Sequence, residues 1–295
     1  MGQHRLGPHV VGQRVVLRHL VPGEAGPSGG PAMSDVLGTC EEWGPTHVVI
    51  AREGGPRATV PIEDIVSGKP VPPRPSVRLR MSPLEAQLRS LVMWPGMRTE
   101  QVGDWVLRSA DDDVRRANSA LAMGDPQMSF SSAVERVMKF YAEVGRRPVV
   151  MVDADDVLAD RFADAGWVLD REEPDVWFQV ASVARALRAV GDMRRIETEV
   201  VEDGARMEAR VGDVALARAA YDRDWLGLHA LNVDPARRRQ GLALNLVATM
   251  LEWGAERGAT TAYLQVRSDN EGAIQLYQRL GFATHHAYRY LTPGE

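Results

Sequence analysis

The stretch Val233-Asp234-Pro235-Ala236-Arg237-Arg238-Arg239-Gln240-Gly241-Leu242-Ala243 decides how this chain is read. Trp225 to Val233 is apolar enough for a buried strand, and Pro235 ends it because proline has no N–H to give to a ladder. Gly241 permits close backbone approach or a φ that other residues adopt at a cost. From Leu242 the apolar period becomes helical. Leu242, Leu246, Val247, Met250, Leu251 and Gly254 share one face, while Asn245, Thr249, Glu252 and Glu256 are expected to point away. A helix start exposes unpaired N–H groups and partial positive charge. With three arginines beside it, the turn suits a phosphate-bearing ligand. The phosphate loop and the dinucleotide fingerprint do not fit, because their glycines and lysine are missing. The plain alternative is a solvated basic turn.

The whole chain sets bounds on both readings. Its 295 residues predict two or three domains. An apolar fraction of 44% and a charged fraction of 25% are those of a soluble globular protein. A net charge of −5 argues against a generic nucleic-acid binder. The single cysteine, Cys40, excludes an internal disulfide framework and a cysteine metal cluster, and fits a reducing cytoplasm. No apolar run approaches the roughly 20 residues of a membrane span, and the first residues lack a signal-peptide core. Cytoplasmic location is the expectation.

Upstream, three regions are distinguishable. Residues 1–75 hold short strand-like runs (Val15 to Arg18, Val36 to Gly38, His47 to Ala51, Ala58 to Pro61) separated by Gly/Pro/Ser turns, with Gly23 to Pro31 as a flexible loop. Their order resembles a small SH3-like β-barrel, and Pro70 to Pro75 reads as a stiff linker. Residues 76–181 carry a helix from Ser82, with Glu85 completing a capping box and Pro83 at its first position. Strands at Trp105 to Ser109 and Val114 to Leu121 follow, joined by Asp111-Asp112-Asp113, which reads as a solvated turn rather than a metal site. Then come a helix over Ser131 to Val144, a strand Pro148 to Val152, a helix Asp156 to Ala165 and a strand Val176 to Ala181. Residues 182–295 begin with a short helix or linker and three strands (Arg194 to Val201, Ala205 to Val211, Val214 to Ala220) before the opening stretch. A buried strand Thr261 to Val266, a helix Glu271 to Leu280 and a last strand His285 to Leu291 complete it.

The last two regions repeat one pattern. Gly145 corresponds to Gly258, Gly166-Trp167 to Gly281-Phe282, Phe162 to Tyr277, and Met128 to Gly241. The earlier copy keeps the frame but lacks both the arginine turn and the phenol.

Arg238-Arg239-Gln240-Gly241-Leu242-Ala243, Val233-x-Pro235, Asn270 and Ala273-x-x-Leu276-Tyr277-x-x-x-Gly281-Phe282 closely resemble the core motif of the GNAT N-acetyltransferase superfamily. The chain as a whole resembles actinobacterial tandem-GNAT proteins with a leading SH3-like segment. The implied fold is α/β: a small SH3-like barrel, a degenerate GNAT-like domain, then a GNAT domain with an intact acetyl-CoA motif.

The resemblance implies acetyl-CoA as co-substrate, no metal, and direct acetyl transfer to a primary amine of a small molecule or protein. It implies that the backbone amides of Arg239 to Ala243 hold the pyrophosphate. Leu231 would polarise the thioester carbonyl, Val233 would pair with the pantetheine arm, and Asn270 would steady it. Tyr277 stands at the family's general-acid position. Gly227 stands where histone-acetylating members carry a glutamate. His229, two residues on and on the same face, either takes the amine proton or only lines the cleft. His285 and His286 are expected to face opposite ways. Two other readings stay open: a non-catalytic acetyl-CoA-binding regulator, and a mycothiol-synthase-like enzyme, for which an acidic pocket is not evident. The barrel is the segment expected to meet a protein partner.

Overall fold

In the computed structural model, which describes residues 6–25, 29–52, 55–71, 77–191 and 195–294, the chain divides into Met1–Pro75 and Ser76–Glu295. Alternation sets the first unit. Its strands β1 (Arg14–Ala25), β2 (Pro31–Trp43), β3 (His47–Arg52), β4 (Ala58–Pro61) and β5 (Ile65–Pro70) form one antiparallel sheet in the order β4-β3-β2-β1-β5. Every second residue turns inward: Val15 and Leu17, Val48 and Ile50, Ala58 and Val60 share one core with Val36 and Cys40.

Two expectations change here. Among the described residues no ladder joins β4 to β5, so the expected SH3-like barrel does not close. Each edge strand is short and ends on a proline, Pro61 or Pro70, which cannot extend a ladder. The loop expected at Gly23 to Pro31 is largely the end of the β1–β2 hairpin, with Ala25 opposite Pro31. Residues 26–28 and most of the proline linker, 72–76, lie outside the described residues.

The second unit opens with α1 (Pro83–Arg89), whose capping box between Ser82 and Glu85 forms as its sequence predicts. A 3-10 turn, Ser90–Met93, leads into β6 (Arg98–Val102) and β7 (Trp105–Ser109). The strand expected over Val114 to Leu121 is instead a 3-10 turn at Arg115–Ala117 and a two-residue β8 (Ala120–Leu121). The reason is Asn118. Its side chain accepts from the Ala110 amide at 2.9 Å and donates to Asp112 O at 2.6 Å and Val114 O at 3.1 Å. These bonds compete with a ladder.

The chain continues through α2 (Phe130–Glu143), β9 (Val150–Asp153), α3 (Val157–Asp164), β10 (Trp167–Leu169), β11 (Val176–Ser182) and α4 (Val183–Val190). Next come β12 (Glu199–Asp203), β13 (Arg206–Val211), β14 (Ala215–Asp222), β15 (Trp225–Val233), α5 (Leu242–Glu256), β16 (Thr261–Arg267), α6 (Glu271–Arg279) and β17 (Ala283–Pro293).

All these strands join one 12-stranded sheet, in the order β12-β13-β14-β15-β16-β11-β17-β9-β8-β7-β6, with β10 on β17. The two halves exchange their last strands. β11 leaves the first half to pair with β16 along its length, from Val176↔Arg267 to Ser182↔Thr261. β17 returns the exchange: Tyr288 to Leu291 pair with Asp153 to Val150 of β9. Neither half closes its sheet without a strand from the other.

The paired glycines occupy equivalent places. Gly145 and Gly258 follow α2 and α5, and Gly166 and Gly281 follow α3 and α6, all with φ between +67° and +86°. This is the left-handed position that ends a helix.

Asn245 corrects the expected face of α5. It is buried, accepts from the Ile196 amide at 3.1 Å and donates to Thr198 Oγ1 at 2.8 Å. It anchors the segment entering β12.

Candidate active site

The site starts with a strand that leaves its neighbour. β15 pairs in parallel with β16 only from Trp225↔Thr261 to Leu228↔Leu264. Beyond Leu228 the register with β14 slips: His229 faces Arg218, but Asn232 faces Leu216. Ala230 and Leu231 therefore oppose the single residue Ala217, which makes a bulge. Ala230 carries φ +54°, a conformation that costs a non-glycine residue about 1–3 kcal/mol. The bulge bends β15 away from β16, and the buried run Trp225 to Leu228 gives way to alternating exposure.

The parting opens a cavity of about 590 Å³. Its wall follows the opening stretch of sequence. Asp234 accepts from the Ala236 amide at 2.8 Å and starts a 3-10 turn, Pro235–Arg237. Arg239 at φ +63° and Gly241 at φ +82° then reverse the chain into α5. The first intrahelical bond runs from the Asn245 amide to Gly241 O at 2.9 Å, and no side chain caps the helix. The amides of Leu242, Ala243 and Leu244 are left without intrahelical partners, at the positive end of the helix dipole. The equivalent end of α2 is closed, because Ser129 accepts from the Ser132 amide at 3.1 Å.

Of the residues singled out in the sequence, Leu231, Val233, Arg238, Arg239, Gly241, Leu242, Ala243 and Asn270 line this cavity. Gln240 does not. Asn270 has a second duty: its Oδ1 caps α6 by accepting from the Ala273 amide at 3.2 Å, leaving its amide nitrogen for other partners. Arg237, the third arginine of the turn, lines the cavity too, and sequence reading missed Gly272, Gln275 and Arg279 on the wall. Gly272, Gln275 and Arg279 lie at helical spacing after Asn270, which is the signal that could have found them.

Tyr277 is not on the cavity wall. It is 7% exposed, packs at 5.7 Å from the Phe282 ring, and belongs to the core beneath α5 and α6. Burial pushes its phenol up to about 12. Among the described residues its hydroxyl makes no hydrogen bond, so the ring is packed and the donor is unspent. Its counterpart Phe162 is fully buried in a ring cluster with Trp105, Phe130 and Trp167.

On the other side of β15 lies a second cavity of about 760 Å³. Ala230 lines this one and Leu231 the first, so adjacent bulge residues face the two spaces. The second cavity is walled by Trp94, Asp111, Asp112 and Arg116 from the first half and by β12, β13 and β14 from the second. His229 lines it, with the Trp94 ring at 6.0 Å. Burial, then the arginines 116, 218 and 206, lower its imidazole to about 4. His229 is neutral throughout the physiological range.

The acidic turn expected to be merely solvated stands at the rim of this cavity through Asp111 and Asp112. Asp203 and Glu208 also line it, so the cavity holds more acid than the sequence suggested. Among the described residues no group of three or more His, Cys, Asp or Glu could hold a metal ion. His285 and His286 do not face opposite ways. β17 slips register between Phe178↔His286 and Gln179↔Thr284, and the two rings stand 5.0 Å apart with their Nδ1 atoms at 2.8 Å. His286 is further held by Gln87 Nε2 at 3.0 Å in the core.

Gly227 has a packing reason. A Cβ there would stand 2.1 Å from Met93 Cε and 2.4 Å from the Tyr263 hydroxyl, which itself donates to Arg89 O at 3.1 Å. The space a glutamate would need is filled by Met93 from the first half and Tyr263 from the second. Gly227→Glu is therefore expected to destabilise the protein by about 2 kcal/mol or more and to supply no base. Urea unfolding of the full chain measures this, and unchanged stability would contradict the packing account.

Comparison with known proteins agrees with this geometry. The family described as "Probable histone acetyltransferase Rv0428c C-terminal" matches residues 150–291. The chain is 28% identical to the probable histone acetyltransferase Rv0428c of Mycobacterium tuberculosis, over 95% of each chain. It is 31% identical to a mycothiol acetyltransferase of Mycobacterium marinum over 41% of this chain and 38% of that one. Among solved structures, a GCN5-related N-acetyltransferase from Kribbella flavida matches with a TM-score of 0.52 at 23% identity, covering 75% of this chain and 98% of the other. No helix among the described residues is long and apolar enough to cross a membrane. The relatives and the shared fold support the GNAT N-acetyltransferase superfamily, and the chain is an acyltransferase.

Proposed function

We propose that the chain transfers the acetyl group of acetyl-CoA directly to a primary amine. The observation that carries this reading is the bulge at Ala230–Leu231, with one cavity on each side. The cavity at Leu231 ends at the open N-terminus of α5 and the exposed arginines 237 to 239, which suits a pyrophosphate. Val233 and Asn270 line the path a pantetheine arm would take. The cavity at Ala230 is the space for the acceptor.

In this reading the amine nitrogen attacks the thioester carbon, and its lone pair forms the C–N bond. The Leu231 backbone N–H stabilises the oxyanion. The C–S bond then breaks, with the unspent Tyr277 hydroxyl as the donor assigned to the departing sulfur. The amine proton leaves to His229, directly or through water. An imidazole near 4 is a weak base but is unprotonated at every pH above about 5. The expected pH–rate profile is accordingly flat on the acid side down to about pH 5, apart from titration of the amine itself. If the profile of His229→Ala superimposes on that of the parent, His229 is a wall residue.

Within the second unit, residues 76–181 are read as a degenerate copy and 182–295 as the catalytic copy. The side-chain-capped α2 and Phe162 in place of the tyrosine support this.

The deciding experiment incubates the full chain with acetyl-CoA and a broad panel of primary amines, following free CoA thiol. Amine-dependent release above hydrolysis is the expected result. Acetyl-CoA binding without release for any amine would instead favour a non-catalytic acetyl-CoA-binding regulator.

A further inference from the structure

The second cavity carries an imbalance of charge. Three arginines and four carboxylates line it: Arg116, Arg206 and Arg218 with Asp111, Asp112, Asp203 and Glu208. Arg206 pairs with Asp203, and Arg218 with Glu208 at 2.7 Å, where Arg210 also binds. Asp111 and Asp112 are exposed at the mouth. Arg116 is left without a carboxylate among the described residues.

Its geometry is nonetheless held. Arg116 Nε donates to the Tyr288 hydroxyl at 3.1 Å, and Tyr288 in turn donates to Gln265 Oε1 at 2.5 Å. That chain of donors spends Nε and orients the guanidinium.

Behind it lies a second uncompensated cation. Arg108 is fully buried, donates to Ser119 O at 2.8 Å and Ser119 Oγ at 3.0 Å, and keeps Nη1 without any partner. Among the described residues it too has no carboxylate. Burial lowers its pKa, and Tyr288, Tyr290 and Arg116 are among the groups around it. Buried charges in folded proteins are paired, because an unpaired one forfeits its hydration. Two neighbouring arginines without a counter-charge leave the cavity wall locally positive at Arg116, although carboxylates line the rest of it. A single oriented fork matches the two oxygens of a carboxylate.

We propose that the acceptor is a primary amine that also carries a carboxylate, and that Arg116 binds this carboxylate in the cavity beside Ala230 and His229. This rests on the N-acetyltransferase reading above. Arg108 does not touch the ligand. It strengthens the field at Arg116 from within the core. The cavity volume leaves room for an amino acid with a sizeable side chain or for a short peptide.

The test uses matched amines, amino acids and dipeptides, each as free acid and as carboxamide, with saturating acetyl-CoA and the full chain. The free acids are expected to have kcat/KM values about 10- to 100-fold above the amides, the range of a charge-assisted hydrogen-bond pair. Arg116→Gln should abolish this preference through KM and leave acetyl-CoA affinity unchanged. Arg116→Lys should retain part of the preference, and gives the answer if the glutamine variant does not fold.

Equal use of acid and amide by the parent overturns the inference while the transferase reading stands. So does a preference for an amine bearing a phosphomonoester. If no amine releases CoA, the transferase reading fails, and ligand-observed NMR with N-acetyl amino acids and their amides decides the inference alone. Binding of the acids only, lost in Arg116→Gln, supports it; equal binding, or none, overturns it.

Discussion

Replacing Tyr277 by phenylalanine is expected to lower kcat by about 10²- to 10³-fold, the loss that follows removal of one donor aimed at developing charge, while acetyl-CoA affinity is retained. The argument lies in the pKa. Burial holds the phenol near 12, so it is protonated across the working range. A thiol of ordinary pKa, about 8.5, is the stronger acid. Complete transfer of the phenolic proton to the thiolate therefore runs uphill by more than three units. In the proposed reading Tyr277 would act as a fixed hydrogen-bond donor that stabilises the charge growing on sulfur, with solvent finally protonating the product. No limb below about pH 10 in the rate profile should belong to Tyr277. The phenylalanine ring still fills the core against Phe282, so stability should barely change. A parallel loss of acetyl-CoA binding and of stability would mean that the tyrosine is only a packing residue.

The second large effect concerns the exchanged strands. A chain ending at Phe282, or the segments 76–181 and 182–295 made separately, is expected not to fold. Removing β17 takes Tyr288, Tyr290 and Leu291 from the cores and strips β9 of its antiparallel neighbour. Truncating one buried aromatic costs about 3–5 kcal/mol, and a domain has only about 5–15 kcal/mol in total. The 182–295 segment alone would lack β11, leaving β16 unpaired on one side. Circular dichroism and thermal unfolding of each segment test this, with the intact chain as control. A cooperative transition in either isolated half would overturn the exchange as a stability determinant, whereas recovery on mixing both halves would support it.

The parts legible in the sequence were local. The helix from Leu242, the turn through Gly241, the capping box at Ser82 and the four paired helix-ending glycines each depend on a few neighbouring residues whose backbone preferences do not need the rest of the fold. The errors also had local causes with distant consequences. Asn118 replaces a strand with a turn by spending its side chain on three backbone groups. A one-residue slip in β17 brings His285 against His286. Asn245 looks like a solvent-facing helix residue until the chain entering β12 crosses it.

The sequence by itself determined the order of elements, the open helix end and the tyrosine opposite a phenylalanine, because spacing and residue type specify these directly. Only the tertiary structure decided three things. Met93 and Tyr263 fill the space at Gly227, the two halves complete each other's sheets, and Arg116 stands unpaired in a cavity that both halves wall. Each depends on residues far apart in the chain, and pairwise spacing carries no record of which distant side chains burial will bring together or leave without a counter-charge.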